Sequence, residues 1–391
     1  VEGTLTATTN QLHKIITLNQ LAVTGALTLT PHGTGAVTIV NANGIDFVAM
    51  TVRGNFIATA TTGNITQSGA LTITGTSTLV TGADNATITL NDGGNTFTGK
   101  LLITTNDTGS ETDGDVEIDG GTTDLKIGLS TIEGNLTLLS GGEITDEGIA
   151  TVEGTLTATT NQLHKIITLN QLAVTGALTL TPHGTGAVTI VNAVNLNLAA
   201  STMGGTFSGT ATQGDISDSG DLAITGAAKF ITTQAAQNII LDQPNVFSKS
   251  VTMQAGDGTA AFNDITFVDS AAVNLHSSAA SAGDLFIDAT TNLAVGGALI
   301  ITATTGDITQ GSELAVGTTS TFTTSAINGT ITLNDADNTF TGAVALNTNG
   351  SSGNATIKND TALLLAASSV GGTLIATATA GNITQNGALT I

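Results

Sequence analysis

The sequence has no cysteine, no tryptophan and no tyrosine, only three prolines, and a single arginine, Arg53. Without cysteine it can be neither a disulfide scaffold nor a cysteine-ligated zinc module. Aromatic residues make up 3% of its 391 residues, so a core of ordinary globular shape, which leans on bulky side chains, is not available. Something more regular must fill the interior. Eight Lys and Arg face 30 Asp and Glu, a formal charge of −22. That balance repels nucleic-acid phosphates and anionic lipid alike, so we expect no nucleic-acid partner. No run of about 18 apolar residues exists to span a bilayer as a helix. The first residues carry no basic stretch followed by an apolar one, and Val1 opens inside a repeat, so the expectation is a portion of a longer polypeptide.

What is present is a strand-and-turn vocabulary: Thr, Ile, Val and Leu for strands, Gly and Asn for corners. Hydrophobic residues reach 40% and the mean hydropathy is +0.29, enough apolar surface to offset ordering entropy and fold.

Repetition organises the chain. Residues 1–42 recur without change at 152–193, and at the same offset 43–75 match 194–226 at 15 of 33 positions. The survivors include Gly54, Phe56, Gly63, Ile65, Gly69, Leu71, Ile73 and Gly75, which are turn formers and inward-facing apolar residues. Charge does not survive: Asp46 is answered by Asn197 and Arg53 by Gly204. The phrase GNITQSGALTI at 63–73 returns around Ile144, Ile216, Ile308 and Ile383, giving units of roughly 80 residues. A second phrase, ITLNDGGNTFTG at 88–99, returns as ITLNDADNTFTG at 331–342 and more loosely at 239–250.

Within a unit apolar and polar residues alternate with period two, as in TLTAT at 4–8 and AVTIV at 36–40, which is the pattern of short half-buried strands. Strands this short gain a sheet only by stacking coil on coil. The fold class is therefore all-β: a parallel β-helix, or β-solenoid, continuous over 1–391. Coils of ~20–25 residues would number about 16–19.

The NTFTG segments at 95–99 and 338–342, each preceded by ITLND, resemble the autotransporter-associated β-strand repeat. The alternation of GxITQxGxLTI with such units resembles filamentous haemagglutinin-like adhesins. That resemblance covers nearly the whole chain. It implies a right-handed β-helix, a secreted, extracellular or cell-surface location, and work in adhesion or matrix building, with cell-surface glycans among the possible partners.

Candidate chemistry is sparse. The densest acidic run holds Asp113, Asp115, Glu117 and Asp119, which a strand would place on one face as carboxylates for calcium. The competing reading, a solvated outer face that discourages edge pairing, is favoured because neither EF-hand nor nonapeptide calcium spacing occurs. The histidines His13, His32, His164, His183 and His276 show no i,i+2 or i,i+4 ligand spacing. Polysaccharide lyases and hydrolases also use parallel β-helices. They need carboxylates clustered with Lys or Arg, which one Arg and seven scattered Lys do not offer. Pairs such as Thr28/Thr30, Thr72/Thr74, Thr87/Thr89 and Thr339/Thr341 could make an ice-binding face, or are simply good strand formers.

These observations lead us to expect a non-catalytic extracellular fibre or adhesin shaft without a cofactor. Because neither Val1 nor Ile391 is a cap, the expected partner is itself, by continuation or head-to-tail stacking. A carbohydrate- or ice-binding surface is the alternative.

Overall fold

The computed structural model describes residues 3–106, 114–256, 263–276, 284–287 and 293–391. The chain divides into two compact units, Val1–Ala193 and Val194–Ile391. Each is a parallel β-solenoid, and together they make about 17 turns of about 21 residues, within the expected range. No helix occurs among the described residues.

In the first unit every turn has two sides, because its strands are of two kinds. One side holds straight strands: Val37–Asn41, Phe56–Ala60, Ser77–Thr81 and Leu101–Thr104 stack in register. Alternation sends Val37, Ile39 and Asn41 inward and leaves Thr38 and Val40 half-exposed. The other side holds bent strands, each a pair of short arms. Ile45–Phe47 with Met50–Val52 lies beneath Ile65–Gln67 with Leu71–Ile73, and Ile88–Leu90 with Thr96–Phe97 follows.

The sides then exchange. The straight strand Val116–Asp119 pairs with the bent strand's Ile88–Leu90, and straight strands Leu136–Ser140, Leu156–Thr160 and Leu178–Thr181 continue above it. Bent strands now occupy the opposite side: Leu125–Ile127 with Ser130–Ile132, Ile144–Asp146 with Ala150–Val152, and Ile167–Val174. Four straight strands and three bent ones thus run from Val37 to Thr104, and four and three again from Val116 to Thr181 with the sides swapped.

The second unit obeys the same rule. Straight strands Phe207–Ala211, Ala228–Thr232 and Val251–Gln254 stand opposite the bent strands that end in Ile239–Phe247. Straight Ile265–Asp269 then settles on Ile239–Phe247, and Leu299–Ala303, Ser320–Ile327 and Val344–Asn349 follow. A further exchange places straight Ala355–Asn359 on Ile331–Leu333.

The interior is a column of aliphatic side chains with phenylalanines set into it. Phe47 and Phe56 meet edge to face at 5.2 Å. In the second unit Phe207, Phe230, Phe247 and Phe267 form a continuous run with centroid spacings of 5.2, 6.0 and 5.3 Å. Few aromatics suffice because the phenylalanine rings described, from Phe47 to Phe340, are all buried between coils.

Candidate functional site

The best-organised polar groups lie inside, at the bends. Asn95 is 1% exposed. Its side-chain carbonyl accepts from Leu71 N (2.8 Å) and Gln67 Nε2 (2.8 Å), and its Nδ2 donates to Gln67 Oε1 (2.9 Å), Leu90 O (3.2 Å) and Asp119 O (3.1 Å). Asn338 repeats the arrangement with Leu314 N, Gln310, Leu333 O and Lys358 O. Gln67 and Gln310 are the fourth residue after Gly in the first recurrent phrase, and Asn95 and Asn338 belong to the second phrase. The two phrases recur because each supplies half of one amide pair spanning neighbouring coils.

Where the phrase carries Asp, the bend holds a carboxylate. Asp218 accepts from Asp242 N (2.9 Å) and from Asn245 Nδ2 (2.7 Å). Burial pushes its pKa up against the pull of those donors. Asp146 accepts from Gln171 N at 2.6 Å, and burial raises its pKa too. Its partner strand Ile167–Val174 is two residues shorter than Ile88–Phe97 and has no residue equivalent to Asn95, so a backbone N–H takes that place.

A second buried position ends the straight strand that follows each exchange. Asn41 accepts from Val23 N and donates to Val23 O and Gly44 O. Asn359 treats Phe340 and Ala362 in the same way. Asp269, 2% exposed, stands at the equivalent place and accepts from Phe247 N at 3.2 Å; burial raises its pKa.

Of the acidic run, Asp113 lies outside the described residues. Asp115 and Glu117 are exposed, and Asp115 accepts from Asn135 N (2.7 Å) and Asn135 Nδ2 (3.0 Å). Asp119 is buried at the strand end, where it accepts from Gly121 N at 2.7 Å, so it does not share the face of the other two. Among the described residues no three His, Cys, Asp or Glu converge on a metal-sized site.

His13, His32, His164 and His183 are turn residues. His13 and His164 have φ of 61° and 63°, the left-handed region, and Asn85, Ala236 and Asn328 take the same corner elsewhere with φ of 62°, 67° and 63°. The Nδ1 atoms of His13 and His164 lie 2.7 Å from Thr34 Oγ1 and Thr185 Oγ1. His276 closes the strand Val273–His276. Among the threonines, Thr28 and Thr30 pair with Thr6 and Thr8, and Thr72 pairs with Thr51 and Thr96. Thr89 is flanked by Thr66 and Glu117, and Thr339 by Ala315, so the threonine columns are short.

Sequence reasoning missed the buried Asp218 and Asp269. The available signal was Gln67, Asp146, Asp218 and Gln310 sharing one position of a recurring phrase, a polar slot kept polar in every copy.

The straight-and-bent cycle has a counterpart in sequence families. A family described as repeats of unknown function, DUF5649, matches residues 34–104, 113–181, 185–254, 262–347 and 352–391. The chain belongs to that family. In the first unit, each complete DUF5649 repeat begins just before a straight strand and ends with the fourth, so the exchange of sides falls at the repeat boundary. No curated protein and no solved structure matches the chain.

Proposed function

We propose that this chain is a structural, non-catalytic shaft: a solenoid whose repeats set the length and stiffness of an extracellular or cell-surface fibre. The observation that carries this reading is the closed hydrogen-bonding of one coil to the next. The buried amides at Asn41, Asn95, Asn338 and Asn359 each accept from and donate to a neighbouring coil, as a load-carrying ladder needs. The likeness of NTFTG and GxITQxGxLTI to adhesin repeats supports a secreted or surface setting. Like partners, stacked end to end or continuous in one polypeptide, are the natural assembly, because a solenoid coil presents the same surface to whatever follows.

Cryo-electron microscopy of native material tests this. Filaments with a layer spacing near 4.8 Å, much longer than one chain, support a shaft. Closed particles of about 38.7 kDa would overturn it.

A further inference from the structure

We propose that the first unit carries a binding site for a carboxylated sugar, built around its only arginine; this does not depend on the shaft reading. Three successive strand ends, after Leu5–Thr8, Leu27–Thr30 and Met50–Val52, enclose an open cleft of about 430 Å³ lined by Thr9, Asn10, Thr30, His32, Thr51 and Arg53. No acid lines it, although the chain as a whole carries −22.

Each group has a chemical role available. Arg53 is exposed, and among the described residues its guanidinium makes no ion pair or side-chain hydrogen bond. Its planar fork matches a carboxylate with two parallel N–H···O bonds. His32 is held in place: its backbone N–H donates to Thr9 Oγ1 at 2.9 Å, and its ring Nδ1 lies 3.1 Å from Asn10 O. A carbonyl only accepts, so Nδ1 carries the proton and Nε2 is left as an acceptor for a ligand hydroxyl. Thr30 and Thr51, both exposed, add hydroxyls that both donate and accept. Neutral sugars are commonly gripped by stacking on Trp or Tyr, and this chain has neither. Charge is the remaining handle, which selects a uronic-acid residue over a neutral one.

The test uses the whole chain labelled with ¹⁵N. Because Arg53 is the only arginine, its side chain gives one Nε–H resonance that needs no assignment strategy. Tri-galacturonate is titrated against its fully methyl-esterified counterpart. The expected result is a saturable shift of that resonance with the acid only. A loss of at least tenfold in affinity is expected for Arg53→Gly, an exposed substitution to the residue found at Gly204, with Arg53→Lys retaining part of the binding. Equal shifts with acid and ester would overturn the carboxylate assignment. The absence of any shift at millimolar acid would overturn the site, and unchanged binding by Arg53→Gly would place it elsewhere. None of these outcomes bears on whether filaments form.

Discussion

Asn95 and Gln67, 28 residues apart, exchange two side-chain hydrogen bonds at 2.8 and 2.9 Å inside a bend. Replacing Asn95 by Ala strands Leu71 N–H, Leu90 O and Asp119 O in a dry interior. Each unsatisfied group costs ~1–3 kcal/mol, so we expect local destabilisation of about 3 kcal/mol or more. The check is hydrogen exchange at the Leu71 amide, which should quicken by at least two orders of magnitude. Gln67→Ala, which leaves the backbone bonds of Asn95 intact, should have a clearly smaller effect.

Asp269 and Asp218 make the second unit sensitive to pH. Burial raises both carboxyls above the ordinary value of 3.8, so the folded state holds these protons more tightly than the unfolded chain. Their stabilising contribution is complete below 3.8 and is lost as pH rises through the folded values. Asp269→Asn reproduces the residue at Asn41 and Asn359. It should stabilise the unit by about 1 kcal/mol at pH 7 and make no difference near pH 3. Thermal melts of both proteins at the two pH values decide this.

Ala236 holds a left-handed corner, φ 67°, that its methyl group disfavours by ~1 kcal/mol. Ala236→Gly should therefore raise stability by about 1 kcal/mol, partly offset by the greater freedom of glycine in the unfolded chain. Ala236→Val should lower it by more than that. Urea midpoints of the two variants, measured beside the parent, give the order.

Gly75 is needed for proximity rather than for an unusual φ. A Cβ at Gly75 would overlap the carbonyl of Gly54 in the coil below, and a Cβ at Gly99 would overlap that of Gly75. The obstacle is backbone, which cannot swing aside, so Gly75→Ala should separate two coils and cost roughly 2–4 kcal/mol. Exchange should quicken at the amides of Phe56 and Ser77, which bond to Thr76 O and Lys100 O on either side of the turn. Amides of Leu156–Thr160 should be unaffected.

Much of the fold was legible. The phrase at 63–73 marks the two arms of a bent strand, Ile65–Gln67 and Leu71–Ile73, because alternation within each arm and glycine between them are both local. The exchange of sides was not legible. Inward and outward residues alternate identically on either side of a solenoid, so only the register of Val116 on Ile88 reveals it. Asp119 misled for a related reason: strand periodicity places it beside Glu117's neighbours on the wet face, but at the strand end its carboxylate turns back to Gly121 N. Arg53, Thr9 and His32, far apart in sequence, meet only because three stacked strands end along the same edge.

The exchange of sides has an arithmetic. Four straight and three bent strands make an odd number of half-turns, so gaining or losing one repeat by recombination rotates everything beyond it by half a turn. A motif that faced one way would face the other. Gaining two restores the original facing. The identical blocks 1–42 and 152–193 lie 151 residues apart, which is two repeats, and their opening strands Leu5–Thr8 and Leu156–Thr160 stand on the same side of the first unit. The unit that can be copied without turning the surface around is the pair.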